Sequence, residues 1–329
     1  MDQSNDSAVL NIAEIGSFIA GGEPVTLSGQ PKRQVRVARN APARTVDLNG
    51  EYITGQCYVQ YIRHHQPASD APVMFWHGGA MTGVTWETTP DGRPGWHSYF
   101  LKQGFDTLVC DAMERGRSGW SPYPEIYKSE PIFRTRNEAW GQFRFGYADD
   151  YHADSRKRVA FRHQQFPVAH FDTLAKQFVP RWTDHAEQTL EAYYHALERT
   201  GPVWLIAHSQ GGNLALEAVA RQPQYFRGVV VIEPASAPAT PGRGNQVPHL
   251  FVWGDNIEQS TVWTDYKLQV DNYVARLQNE DTPVTVLDLP AMGIRGNSHV
   301  PMMDLNSDPI AAMTVEWIND LSDNTRIKP

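Results

Sequence analysis

Most of this chain alternates short apolar runs with stretches of helical spacing. The apolar runs at 71–76, 106–111, 202–208, 228–233, 249–256 and 282–289 are bounded by glycine, proline or small polar residues. Runs that are apolar at consecutive positions suit strands covered on both faces, as in a parallel sheet. Between them the pattern predicts helices. One spans 95–104 and closes on the glycine cap Gly104; another starts at an N-cap Thr183, with Glu187 in its first turns, and runs to Gly201. Others run from the small-residue turn at Ser209 to Gln222-Pro223, from Tyr266 to Leu277, and from Asp308-Pro309 to about Leu321. Upstream, β-branched and aromatic residues alternate from Val35 to Ile62 around Leu48-Asn49-Gly50-Glu51, which predicts antiparallel edge strands joined by a hairpin turn. Residues 1–20 read as a loose lead-in and Gly21-Gly22-Glu23-Pro24 as a turn.

The alternation breaks between 120 and 180. There, aromatics and arginines interleave through Phe133, Arg134, Arg136, Trp140, Phe143, Arg144 and Phe145. The chain therefore divides into an N-terminal core part, 1–119, an insertion, 120–180, and a C-terminal core part, 181–329. A length of 329 residues suits one large α/β domain carrying an insertion. The net charge of −8 argues against a nucleic-acid partner, which needs a basic face. No run approaches the ~20 apolar residues of a membrane span. The opening Met1-Asp2-Gln3-Ser4-Asn5-Asp6 has neither a basic region nor an apolar core, so a cytoplasmic protein is the default, with a mature secreted form left open. Cys57 and Cys110 fall in different predicted strands and read as buried thiols rather than a disulfide. With no C-x-x-C or His/Cys ligand spacing, neither metal nor cofactor is expected.

The candidate chemistry centres on Ala207-His208-Ser209-Gln210-Gly211-Gly212, where an apolar run passes through small residues into a helix. A serine at such a turn has its hydroxyl lifted above the sheet, with the Gln210 N–H facing the same space. This resembles the nucleophile elbow of the α/β-hydrolase superfamily, with Ala207 replacing the first glycine of G-x-S-x-G. Two further stretches support the resemblance. His77-Gly78-Gly79-Ala80 after a strand is similar to the loop that supplies half of an oxyanion hole in esterases and lipases. Asp111, Gly116 and Ser118 are similar to a turn of the form D-x-x-G-x-G-x-S. The resemblance implies an α/β-hydrolase fold, with a mostly parallel central sheet, helices on both faces and 120–180 as an inserted cap.

It also implies a site. The chain order is serine, acid, histidine, with Ser209 as nucleophile and His299, in Gly296-Asn297-Ser298-His299 after the last strand, as the base a serine hydroxyl needs at neutral pH. Two acids end strands, Glu233 and Asp255. Glu233, held by Pro234, is favoured to orient the histidine, and Asp255 is the alternative. Gln210, Gly79 and Ala80 are the oxyanion candidates; His77, Arg134, Arg136, Arg144 and Trp140 are candidates to contact substrate, the arginines for an anionic one. The reaction implied is hydrolysis of a small-molecule carboxylic ester through an acyl-enzyme. A lactonase or C–C hydrolase using the same residues is the alternative, and a non-catalytic binding protein ranks last. A homodimer is left open.

Overall fold

The structure, a computed structural model, describes residues 10–326 apart from residue 243. Its strands are β1 (Ile12–Leu27), β2 (Arg33–Val35), β3 (Arg44–Val46), β4 (Gly50–His64), β5 (Val73–Trp76), β6 (Thr107–Asp111), β7 (Val203–His208), β8 (Phe226–Ile232), β9 (His249–Trp253) and β10 (Val284–Asp288). Eight of them form one sheet in the order β1-β4-β6-β5-β7-β8-β9-β10, while β2 and β3 make a separate two-stranded ribbon. β1 and β4 run antiparallel and β4 meets β6 antiparallel; from β6 to β10 every pairing is parallel. The chain thus has the α/β-hydrolase fold, a mostly parallel central sheet between helices.

Of the six parallel strands, the five from β5 to β9 explain their own apolar runs, while the edge strand β10 has Thr285 and Val286 exposed. Successive side chains point to opposite faces, so both parities must be apolar when both faces are covered. Met74, Trp76, Leu205, Ala207, Val229, Val231, Phe251 and Trp253 join one core cluster. Their neighbours Val73, Phe75, Trp204, Ile206, Val230, Ile232, Leu250 and Val252 join the other. Of the helices, α1 (Val84–Glu87), α2 (Trp96–Lys102), α3 (Arg136–Gln142), α4 (Phe171–Ala175), α5 (Ala186–Thr200), α6 (Gln210–Arg221), α7 (Thr261–Asn279) and α8 (Ser307–Arg326), α5, α6 and α7 cover the first face and α2 and α8 the second. Trp76 stacks on Tyr193 of α5 at 3.8 Å between ring centroids. Burying a side chain of that size removes enough apolar surface for about 1.5–3 kcal/mol.

Several expectations need correction. The lead-in is not loose: from Ile12 onward it is the edge strand β1. Gly21-Gly22 is a bend inside that strand, where Gly21 (φ 69°), Gly22 (φ 99°) and, across the pairing, Gly55 (φ 85°) take left-handed backbone while the ladder resumes on either side. Val35 belongs to the separate ribbon, and the partner of β4 is β1, whose Leu27 sits opposite Gly50. Thr183 does not cap α5, which begins at Ala186 behind His185 with no side-chain cap. Helix α7 starts five residues before Tyr266 (266 − 261), at Thr261 capped by Ser260. The helix ending near Gly104 and the strands at 73–76, 107–111, 203–208, 226–232 and 249–253 match expectation closely.

Between Asp111 and Val203 no strand of the main sheet occurs among the described residues. The segment at 120–180 is short helices and turns whose Trp140, Phe143, Phe145, Phe166 and Phe171 extend the second core cluster. An isolated antiparallel bridge ties Ile132 to Arg181, and the Val179 N–H donates to the Ala80 carbonyl at 3.0 Å, which fixes the segment over the loop after β5. Cys57 and Cys110 are both buried and unpaired, as expected, and burial pushes the Cys57 thiol up to about 12. No helix among the described residues is long and apolar enough to cross a membrane.

Candidate active site

Strand β7 ends at His208 and α6 begins at Gln210, leaving Ser209 alone at the junction with φ 54° and ψ −117°. A non-glycine residue there is strained by contact between its Cβ and the backbone. The strain is held by neighbours: the Ser209 N–H donates to the Ile232 carbonyl at 3.0 Å, and the Ser209 carbonyl accepts from Ala235 N–H at 3.1 Å. Close approach also dictates the small residues that follow. A Cβ on Gly211 would lie 2.4 Å from the His77 carbonyl oxygen, so only glycine lets the helix start this close to β5. Ala80, Arg144 and Glu233 share the left-handed backbone with Ser209, which concentrates four such residues around one spot.

At that spot three side chains form a hydrogen-bonded chain. His299 Nε2 lies 3.0 Å from Ser209 Oγ, and His299 Nδ1 lies 2.8 Å from Glu233 Oε2. The other carboxylate oxygen, Glu233 Oε1, accepts from the Gly254 N–H at 2.6 Å and from Arg144 Nη2 at 2.5 Å. Asp255, the alternative acid, does not reach the histidine. Its Oδ2 accepts from Gly296 N–H at 2.8 Å and its Oδ1 from Asn256 N–H at 2.8 Å, so it braces the loop that leads to His299.

Burial alone would raise the Glu233 carboxyl, but the Arg144 guanidinium and His299 hold it down to about 2. Burial lowers His299 to about 4, against the pull of Glu233. The imidazole is therefore neutral, and an Nδ1–H donating to the carboxylate leaves Nε2 as an acceptor for the serine hydroxyl.

The histidine is held on all sides. Its N–H donates to the Phe143 carbonyl at 3.0 Å, and its ring packs on Trp263 at 4.0 Å and Phe143 at 5.3 Å between centroids. His208 Nε2 donates to the His299 carbonyl at 2.8 Å. Asp304 accepts from Ser298 N–H at 2.8 Å, from Ser298 Oγ at 2.7 Å and from Asn297 Nδ2 at 2.9 Å, which anchors the residues just before it.

The loop after β5 closes the other side. His77 is buried and spans the loop: its Nε2 accepts from the Ala112 N–H at 3.0 Å and its Nδ1 donates to the Gly78 carbonyl at 2.9 Å. It is a strut, not the substrate contact expected from the sequence. Gly79 lines the space in front of Ser209, and among the described residues neither its N–H nor that of Ala80 finds an acceptor. The Gln210 N–H, first in α6, has no acceptor within its own helix because the partner carbonyl would lie four residues earlier.

In front of the serine is a cavity of about 420 Å³, lined among others by Ser209, His299, Gly79, Arg134, Arg181 and Trp263. A larger hollow of about 820 Å³, beside Trp204 and Phe226, lies at the opposite end of the strands, away from any of these groups. Of the arginines expected to contact substrate, only Arg134 reaches the cavity. Arg136 is half exposed and paired with Asp172 at 3.3 Å. Arg144 is clamped on Glu233 and also donates to the Asp255 carbonyl at 2.8 Å, and Trp140 is buried in the core. Arg181 and Trp263 line the cavity without a motif that marks them in the sequence. Arg181 sits one residue past the aromatic and arginine-rich segment, and Trp263 opens a helix whose start the apolar spacing placed later.

Similarity to known proteins bears on the fold and the reaction class. No protein-family model matches the sequence. A solved structure described as a novel bacterial esterase superposes with a TM-score of 0.80 at 29% identity, covering 96% of this chain and 98% of its own. A fungal protein named "Probable secreted lipase phiG" (Fungal sp., strain ATCC 74256) is 25% identical over 339 aligned positions, covering 82% of this chain and 88% of the relative.

Proposed function

We propose that this member of the α/β-hydrolase superfamily hydrolyses carboxylic esters through an acyl-enzyme formed on Ser209. The observation that carries the reading is the chain from Ser209 Oγ through His299 to Glu233, set at the carboxyl ends of β7 and β8, where ligands bind in open parallel sheets. The bacterial structure described as an esterase and the fungal relative named as a lipase support the reaction class.

In this reading Ser209 Oγ attacks the ester carbonyl while its proton passes to His299 Nε2. Glu233 keeps the Nδ1–H of His299 in place and offsets the imidazolium charge that develops. The tetrahedral oxyanion is held by the Gln210 N–H with that of Gly79, or Ala80, whose donors are free to turn to it. His299 returns the proton to the leaving alcohol. Water, deprotonated by the same imidazole, then releases the acid and restores Ser209.

Residues 120–180 act as a cap over this site, since Arg134 and Phe143 from that segment line the cavity. Cytoplasmic residence draws support from the two unpaired thiols and is set against a relative described as secreted; cell fractionation decides it. A homodimer is checked by sedimentation.

Ser209→Ala is the direct test. Turnover of a simple ester should fall by ~10⁴ or more, and labelling by a fluorophosphonate should vanish. Labelling that persists on the variant sinks the assignment. A panel of linear esters, lactones, amides and β-diketones on one preparation separates the ester reading from lactone or C–C cleavage by the same residues.

A further inference from the structure

The cavity holds more positive charge than the ester reaction needs. Arg134 and Arg181 both line it, and Glu138 is the single carboxylate among its lining residues. Glu233 contributes nothing to the balance because Arg144 is already bound to it. The two arginines are brought together by the backbone. Ile132 and Arg181 exchange hydrogen bonds at 2.7 and 3.0 Å, and Arg134 follows two residues later on the same side of the cavity. The Arg181 Nη1 lies 3.1 Å from where a Cβ on Gly79 would stand, so its guanidinium lies against the loop that faces the reacting carbonyl.

Neither guanidinium is satisfied. The Arg134 side chain is 7% exposed, and its one carboxylate contact is Nη1 to Glu138 Oε1 at 3.1 Å. Its Nε is buried without an acceptor, as is the Nε of Arg181. A buried donor on a cation with no acceptor is costly, so each side chain gains from an anion placed against its cavity-facing guanidinium. Arg134 stands over the Phe143 ring at 5.0 Å, which holds it beside the histidine without neutralising it.

Building on the ester-hydrolase reading, we propose that Arg134 and Arg181 form a carboxylate-binding subsite, so that the preferred substrates are half-esters of small dicarboxylic acids. The scissile ester of such a molecule sits at Ser209 while the free carboxylate at the far end of the acyl chain bridges the two guanidiniums. Hydrolysis adds one water across the acyl–oxygen bond, giving the alcohol and a dicarboxylate with release of one proton from the new acid. A cavity of about 420 Å³ is at the small end of ligand sites, which fits a short diacid and excludes a long lipid acyl chain from lying wholly inside it. Burial, with the neighbouring Arg181 charge adding to it, lowers Arg134 to about 10, and a bound anion relieves both.

The test compares monobenzyl glutarate with benzyl valerate, which share an acyl chain length and differ in the terminal charge, by pH-stat at pH 7.5. The native enzyme should prefer the anionic ester in kcat/KM by about tenfold or more, the preference should shrink as salt is raised from 0.05 to 0.5 M, and glutarate itself should inhibit competitively. Arg181→Gln should lower the anionic-to-neutral ratio at least about tenfold, mainly through KM, and Arg181→Lys should keep part of it. A native ratio near one overturns the subsite while leaving the ester hydrolase standing, and so does a loss in Arg181→Gln that is equal for both esters. The native ratio needs no variant to fold. If neither ester turns over and Ser209 resists fluorophosphonate, the ester-hydrolase reading falls and takes the subsite with it.

Discussion

Arg144 and Glu233 are 89 residues apart in sequence and 2.5 Å apart in space, with side chains 1% and 0% exposed. An arginine from the 120–180 segment therefore fixes the acid that orients His299. One oxygen of Glu233 is committed to Arg144 and Gly254, which leaves the other aimed at the imidazole. The 120–180 segment thus supplies part of the support beneath the Ser209–His299–Glu233 chain.

Removing one partner of that pair leaves a buried charge without its counterion. Arg144→Met should cost roughly 3–5 kcal/mol of stability and lower kcat, because an uncompensated Glu233 takes up a proton and stops supporting the imidazolium. Urea unfolding and the pH dependence of kcat check both halves. A stable variant with native kcat contradicts the clamp.

The low pKa of His299 sets the acid limb of the activity profile. In the proposed mechanism His299 acts as base only when neutral, so kcat/KM for a neutral ester should rise with pH through a midpoint well below the ordinary 6.5, toward about 4. A midpoint at or above 6.5 means that the imidazole is less buried than described.

Stability should follow the same groups. Burial lowers His77, His97, His249 and His299 to about 4 each. Between pH 6.5 and 4 the unfolded chain binds protons at these sites and the folded one does not. Stability is therefore present above 6.5 and lost as pH falls through that window, by up to about 1.4 kcal/mol per pH unit for each fully buried group. Glu233, held to about 2, adds a further loss below its ordinary 4.5. Thermal melts from pH 7.5 to 4.5 should show a steady decline, and a flat profile refutes it.

The two acids are separated by amide substitutions. Glu233→Gln keeps the shape but neither offsets the imidazolium nor secures its tautomer, so kcat should drop ~10²–10⁴ with KM little changed. Asp255→Asn removes one strong acceptor from the Gly296 N–H and should cost far less. The reverse order reassigns the acid.

The turn itself is tested by Gly211→Ala. The added methyl meets the His77 carbonyl at 2.4 Å, which is backbone and does not yield easily, so α6 must shift away from β5. A loss of about 1–3 kcal/mol is expected, with kcat falling as Gln210 N–H moves off the oxyanion position. A variant with native melting and turnover removes the packing argument for that glycine.

What the sequence made legible follows from the physics of each element. Five of the parallel strands, β5 to β9, declare themselves because they are apolar on both faces, while the edge strand β10 is half exposed; Ser209, Glu233 and His299 each sit where a parallel strand or its loop ends. β1 does not show in the sequence because its glycines and exposed residues, such as Ile15 and Ile19, blur the period-two signal of an edge strand. The arginines were harder. Arg134, Arg136 and Arg144 look alike in sequence, yet one faces the cavity, one the solvent and one a buried carboxylate. Only the backbone path, including the left-handed turn at Arg144 and the bridge from Ile132 to Arg181, sorts them.

The bend at Gly21, Gly22 and Gly55 has a consequence for how these molecules behave in a crowd. β1 is hydrogen-bonded along one flank only, and sixteen residues of straight unpaired edge would offer a template on which another chain could extend the sheet. The left-handed Gly21 and Gly22, opposite Gly55 of β4, interrupt that edge, so an incoming strand finds regular backbone over Ile12–Ala20 or over Glu23–Leu27 but not across both. Replacing Gly21 and Gly22 with residues that straighten the strand would therefore make the protein more prone to associate edge to edge at high concentration, with the site around Ser209 untouched.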